Sequence, residues 1–202
     1  MLRFRLGRCH KKYKAPGLAS SRMPLRPGRC YRRLERPYTR VEYIAGAPYV
    51  QIPKFELGNT KAKDRARFDY VVELVAESIG QIRANALEAA RQMAYKYLSK
   101  YVGDANFYLK IVTYPFHVLR ENKMLAMAGA DRLQQGMRLA FGVPVGRAAR
   151  ITRPGTVVMH LEIEKKNLAH AKEALRRAAS KLPLPMRIVI YPKQSLQTKA
   201  NP

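Results

Sequence analysis

The sequence is poor in several things, and each shortage excludes a class of protein. No run of about 18 apolar residues occurs, so no segment is suited to cross a bilayer as a helix. The opening MLRFRLGRCHKKYK has no apolar core of the secretory kind, and its Arg-rich, acid-free start has only the composition of an organellar transit peptide. Two cysteines, Cys9 and Cys30, cannot make a disulfide framework in a chain of 202 residues, and Cys9-His10 lacks the second half of a zinc site. Reduced thiols are therefore expected. His10, His117, His160 and His170 have no metal-ligand spacing, no G-x-x-x-x-G-K-[ST] occurs, and Gly142 to Gly146 lacks the glycine pattern of a dinucleotide loop. No metal and no cofactor is expected.

The largest shortage is of acids: Asp+Glu 14 stand against Lys+Arg 39, giving a net charge of +25 and a pI near 10.5. So much like charge repels itself in a compact state and is best tolerated when a polyanion neutralises it. Hydrophobic residues make up 47%, which excludes a wholly disordered basic tail, and the length suits about one domain with extensions. A membrane surface is a poor candidate for the polyanion, because neither expected helix opposes a strongly apolar face to a uniformly basic one.

The charge is concentrated at the start. Residues 1–40 hold 13 Lys/Arg and a single acid, Glu35, and Pro16, Pro24, Pro27 and Pro37 break any helix there. Arg26, Arg29, Arg32, Arg33, Arg36 and Arg40 alternate with Tyr31 and Tyr38, a pattern that suits phosphate contact combined with base stacking. This stretch is read as a basic nucleic-acid-binding arm. The segment from Met23 looks like a complete beginning, so residues 1–22 are open to reading as an extension from an upstream start codon.

The folded body is expected over 41–192, with a loose tail at 193–202. YTRVEYI and VQIPKFELG read as short edge strands, and Phe68 to Ala76 alternates as a half-buried strand. Ser78 and Gln81 have capping-box spacing. A helix is then expected with Ile82, Ala86, Ala89, Ala90, Met93, Tyr97 and Tyr101 inward, closed by Gly103 in a left-handed conformation. NFYLKIVTYPFHVL supplies a strand interrupted at Pro115. VPVGRAARITRPG presents Arg147, Arg150 and Arg153 around turn residues, as a further basic footprint. Val157 to Glu164 reads as a strand, Asn167 as the cap of a helix with Leu168, Ala171, Leu175, Ala178 and Leu182 inward, and PMRIVIYP as the closing strand. The fold class expected is α+β, two helices packed on a mixed or antiparallel sheet.

Between two strand-like segments lies LRENKMLAMAGADRLQQGMRLAFG, which has no periodicity of its own but carries Arg120, Lys123, Arg132 and Arg138 among glycines and alanines. Such a stretch cannot build a core and is suited to reaching a polyanion. His117 and Asp131 could form an acid/base pair, but no nucleophile or second carboxylate is suggested beside them. The chain is not expected to be an enzyme.

MPLRPGRCYRRLERPYTRVEYI, GQIRANALEAARQMAYKYL, HVLRENKMLAMAGADRLQQGMRLAFG and VGRAARI together resemble the universal large-subunit ribosomal protein family called ten-e in archaea and eukaryotes and sixteen in bacteria. The resemblance covers about residues 23 to 192, and RENKMLAMAGADRLQQGMR points to the archaeal and eukaryotic branch. Ala126-Met127-Ala128 is bulkier than the family's more glycine-rich run, Leu139 stands where a small residue is common, and residues 1–22 lie outside the pattern.

The resemblance implies a hammerhead-type α+β sandwich in the cytoplasmic ribosome. It implies binding to large-subunit rRNA near the central protuberance, in the corridor of the tRNA acceptor arms. It also implies a flexible loop over 120–138, here with Arg120, Asn122, Lys123, Arg132, Gln134, Gln135 and Arg138, directed toward the peptidyl-transferase centre and the P-site tRNA. Neighbouring large-subunit proteins and the 5S rRNA region are implied partners, and no free homo-oligomer is expected. The alternative from another class is a basic chromatin-type protein coating DNA, which would lack a preference for the 2′-hydroxyl and for folded RNA.

Overall fold

The computed structural model describes residues 26–61, 65–122 and 141–193. Residues 1–25, most of the expected loop and the expected tail from Gln194 lie outside the described residues.

Two antiparallel sheets are built from strands β1 (Glu56–Gly58), β2 (Tyr70–Ala76), β3 (Gly80–Arg83), β4 (Phe107–Ile111), β5 (His117–Glu121), β6 (Val143–Ile151), β7 (Val157–Ile163) and β8 (Met186–Pro192). The five-stranded sheet has the order β1-β4-β7-β2-β8, and the three-stranded sheet β3-β6-β5. Helices α1 (Ala84–Tyr101) and α2 (Leu168–Ala179) pack on each other and on the five-stranded sheet. The α+β class expected from the sequence is the one observed.

Residue chemistry explains the layers. In β2, Val72, Leu74 and Ala76 face the helices beside Met159, Leu161 and Ile163 of β7, all at or near zero exposure. Each such large apolar side chain taken from water contributes roughly 1.5–3 kcal/mol. The two helices pack on each other, and Ala90, Ala94, Ala171, Ala174 and Ala178 are all fully buried in the shared core, where small side chains allow close approach. The run from Ala84 to Tyr101 contains neither Gly nor Pro and is rich in Ala, Leu, Lys, Arg and Gln, so propensity and packing agree there.

Several expectations are corrected. Ser78 and Gln81 form no capping box. Gln81 and Ile82 belong to β3, and α1 begins only at Ala84, with no side-chain cap at Arg83. The burial of Gln81 on the three-stranded sheet outweighs the capping pattern, because its backbone pairs with Arg150 and its amide reaches the arm. The inward stripe of α1 is Ala84, Leu87, Ala90, Arg91, Ala94 and Leu98, about one residue out of phase with the expected one. Tyr101 is accordingly not core: it is 53% exposed and stacks on His170 of α2 at 5.6 Å, beside a half-buried Tyr97. Gly103 does take a positive φ of 85°, but with ψ 143°, so the backbone turns into an extended rather than a left-handed helical conformation.

YTRVEYI forms a short 3-10 turn at Val41–Tyr43 instead of a strand, leaving β1 as the edge element there. The turn expected around Arg147 and Arg150 is the nine-residue strand β6, because Ala148, Ala149 and Ile151 are buried between neighbours on both edges. Asn167 makes no side-chain cap; a 3-10 turn, Lys165–Asn167, feeds α2 instead. NFYLKIVTYPFHVL is two strands in different sheets, β4 and β5, joined across Pro115.

Candidate nucleic-acid interface

The three-stranded sheet is where the basic segments converge. β5 and β6 pair antiparallel, with Glu121 opposite Val143, so their ends form the root of the segment between them. Of the expected loop residues, Arg120 and Asn122 sit at this root, while Lys123, Arg132, Gln134, Gln135 and Arg138, like Asp131, lie outside the described residues. The root is tight. Gly142 has φ 82°, and a Cβ there would stand 2.7 Å from the Glu121 carbonyl carbon, so a side chain is excluded.

A bulge falls between Leu119 and Arg120, where Pro144 interrupts the ladder. At the bulge the Arg120 guanidinium lies 3.8 Å from the Phe141 ring centroid and 4.8 Å from that of Tyr38. Tyr38 and Phe141 meet edge to face at 5.5 Å. The root is thus tied to the arm by Arg120, whose guanidinium lies against both Phe141 of the root and Tyr38 of the arm.

The arm itself is fastened by its backbone and its few uncharged side chains. Tyr31, in the 3-10 turn Gly28–Tyr31, is 5% exposed and forms a small apolar cluster with Leu119 and Ala148. Buried so, its ring is a plug and not a stacking surface. The Gln81 N–H donates to the Arg32 carbonyl at 3.0 Å and its side-chain amide donates to the Arg33 carbonyl. Val118 N–H donates to the Tyr38 carbonyl at 2.9 Å, and Arg26 N–H to the Glu121 carboxylate at 3.3 Å.

His117, fully buried in β5, completes the fastening. Its Nδ1 accepts the Tyr38 N–H at 3.0 Å, and its Nε2 stands 3.5 Å from the Glu35 carboxylate. Burial pulls the imidazole below its ordinary pKa against the pull of Glu35. A neutral ring is what the geometry needs, since Nδ1 can accept only while unprotonated. The candidate acid/base role of His117 gives way to a structural one, because both ring nitrogens face the arm.

This arrangement leaves the cations outward. Arg26, Arg29, Arg32, Arg33, Arg36 and Arg40 are all exposed and have no ion pair among the described residues, while Tyr38 is half-buried. Arg147 and Arg150, three apart on a strand, point to opposite faces. Arg147 donates to the Pro48 carbonyl at 2.7 Å and Arg150 to the Glu35 carbonyl at 2.8 Å, so both also hold backbone. Arg153, in the turn after β6, is exposed.

Sequence reasoning missed Gln81, His117 and Glu121 as the groups that seat the arm. Only their polarity within apolar strand patterns could have marked them. It also missed Phe141, whose aromatic neighbour Tyr38 lies a hundred residues away in the chain.

Known proteins resemble this chain closely. The family described as ribosomal protein L16p/L10e matches residues 32–189. A large ribosomal subunit protein uL16 from Caldivirga maquilingensis is 68% identical over 175 residues, covering 87% of this chain and 99% of that protein. The Pyrobaculum islandicum uL16 is 68% identical over 172 residues, 85% of this chain and 94% of its own length. That of Thermofilum pendens is 62% identical over 173 residues, 85% of this chain and the whole of its own.

Proposed function

Because this chain belongs to the L16p/L10e family of ribosomal proteins, and so is a non-enzymatic structural constituent of the large ribosomal subunit that partners with rRNA and other ribosomal proteins, we propose how it engages them. The arm is the primary rRNA contact: Arg26, Arg29, Arg32, Arg33, Arg36 and Arg40 neutralise phosphates, and Arg153 extends the footprint. The single observation that carries this reading is the outward state of those arginines, without ion pairs among the described residues, over a backbone pinned to the three-stranded sheet. A pre-ordered row of cations loses little entropy on binding and reads folded RNA by shape.

The family resemblance further supports a location near the central protuberance and the 5S rRNA region, along the corridor of the tRNA acceptor arms. In this reading the 120–138 loop extends toward the peptidyl-transferase centre, its root held by Arg120, Phe141 and Tyr38, and helps to position tRNA and complete subunit maturation. These residues position; they do not catalyse. Charge alone would also suit a DNA-coating protein, but nothing else favours that alternative.

The test has two parts. Full-length protein should prefer large-subunit rRNA over DNA of equal length at matched salt, and equal affinity for both would sink the rRNA reading. Subunits carrying Gln134→Ala, Gln135→Ala and Arg138→Ala together should assemble yet mature late or translate poorly. Normal sedimentation, maturation and translation would reduce the loop to a spacer.

A further inference from the structure

Two of the connections that carry the chain from one sheet to the other, β4 to β5 and β6 to β7, approach the arm. Between them opens a cleft of about 530 Å³, within the range of roughly 300–1,000 Å³ usual for small-molecule sites. Thr39 of the arm, Thr113, Tyr114 and Phe116 of the first connection, Arg150 near the end of β6 and Thr152 of the second connection line it. Nothing described so far uses this cleft.

Its chemistry is specific. Phe55, Tyr114 and Phe116 form an aromatic row, Phe55 and Tyr114 stacked at 5.2 Å and Tyr114 and Phe116 tilted at 4.6 Å. The row runs from the edge of the core to a Phe116 ring that is 62% exposed. That ring is held in place. Pro115 precedes it with a fixed φ, and Phe116 N–H closes a tight turn on the Tyr114 carbonyl at 3.0 Å. Two buried polar atoms of the lining, Arg150 Nε and Thr113 Oγ1, find no hydrogen-bond partner among the described residues. Such groups cost free energy unless something satisfies them. Arg40 and Arg153, the chain neighbours of the lining residues Thr39 and Thr152, are exposed cations.

An exposed, rigid aromatic ring beside fixed donors, hydroxyls and flanking phosphate-binding charge matches one occupant. We propose that the cleft captures a single unstacked base of an RNA strand, stacked on Phe116, with its polar edge meeting Arg150 and the threonine hydroxyls and its flanking phosphates meeting Arg40 and Arg153. This deepens the rRNA-binding reading and rests on it: it names where a base, not only the backbone, is held. A peptide segment of a neighbouring ribosomal protein would use the aromatic row but not the two exposed cations beside the lining threonines in the chain.

The chain contains no tryptophan, so Phe116→Trp introduces a single indole at the stacking position. Full-length F116W titrated with a single-stranded adenosine hexaribonucleotide should lose indole emission saturably, and an abasic strand of equal length should bind without quenching. Full-length F116L should bind the hexaribonucleotide about tenfold more weakly than the parent chain while binding the abasic strand equally, an outcome a misfolded variant could not give. Binding of the hexaribonucleotide with neither quenching nor a loss in F116L overturns the base pocket and leaves RNA binding by the arm intact. Failure of the parent chain to bind any RNA, large-subunit rRNA included, removes both. In intact large subunits, a photoreactive residue at position 116 should cross-link to rRNA. Cross-linking to a protein instead would make the cleft a protein-docking site and overturn the proposal.

Discussion

The outer face of the five-stranded sheet and the arm-covered side of the three-stranded sheet both carry arginine and lysine, and they treat them in opposite ways. On the five-stranded sheet Glu162, almost fully buried, accepts from Arg65 and from Lys193, the latter at 2.8 Å, and stands 3.3 Å from His160. His160 in turn meets Glu73 at 3.0 Å. On the helices Arg91 pairs with Glu88, and Arg176 and Arg177 share Glu173. On the other side the only acid in the arm, Glu35, is spent on His117 and on a backbone bond to Arg150, and the arginines are left without partners among the described residues. Charges on the first side hold the protein together. Those on the second are left for something outside it, and the stability of the body makes their mutual repulsion tolerable.

This contrast can be broken most sharply at the arm. Replacing Arg26, Arg29, Arg32, Arg33, Arg36 and Arg40 by glutamine should leave thermal unfolding of the free protein unchanged or slightly improved. The log-log salt slope of rRNA binding should meanwhile shrink by about 4–5, at roughly 0.7–0.9 per lost phosphate contact. The same number of substitutions among the paired body cations should do the reverse, costing stability and little slope. An unchanged slope in the arm variant would mean that the outward arginines do not contact phosphate.

A smaller effect is expected from Glu162→Gln, which leaves Arg65, Lys193 and His160 without their shared carboxylate. The loss should be roughly 2–3 kcal/mol in denaturant unfolding, below the full cost of breaking a buried pair because Arg65 and Lys193 are partly solvated. Burial works against the Glu162 charge, but the bonds from His160, Arg65 and Lys193 hold its carboxyl well below the usual range. The folded pKa is therefore below the unfolded one. The stabilisation is complete above pH ~4.5 and disappears as pH falls toward the folded value, whereas the glutamine variant should lose this acid-side slope.

The smallest effect concerns His117. Its folded pKa lies below its unfolded value of about 6.5, so the neutral ring contributes fully above that pH and the contribution is lost as pH falls through the folded value. Protonation removes the acceptor for Tyr38 N–H. Hydrogen exchange at the Tyr38 amide should therefore speed up on acidification below pH ~6.5 relative to amides of β2. An exchange ratio flat across that range would show that His117 does not fasten the arm.

Much of this was legible in the chain. The alternation in Phe68 to Ala76 and in Val157 to Glu164 located two of the three interior strands of the larger sheet, because a two-residue period of β-branched and acidic side chains fits little else. The three-to-four-residue spacing of Leu168, Ala171, Leu175 and Ala178 located α2 by its helical period. The start of α1 was not legible: Ser78 and Gln81 satisfy a local capping rule, but Gln81 gains more from pairing in β3 and bonding to the arm. The strand β6 was hidden by its arginines and glycine, since burial there comes from strands on both edges and not from its own pattern. In the candidate interface the outward arginines were legible as charge, whereas Tyr31 read as a stacking ring and proved to be a plug.

By itself the sequence determined that this chain carries a large, unevenly placed positive charge, that it is an α+β domain, and through its motifs that it belongs to a ribosomal family. Those follow from composition, periodicity and order, which are properties of a chain read locally. Only the tertiary structure decided which arginines are spent on partners and which have none among the described residues, that His117 seats the arm, and that Thr39, Phe116 and Arg150 share one cleft. The pairing of a charge and the walls of a cleft depend on residues a hundred positions apart, and nothing local in the chain encodes which of them will meet.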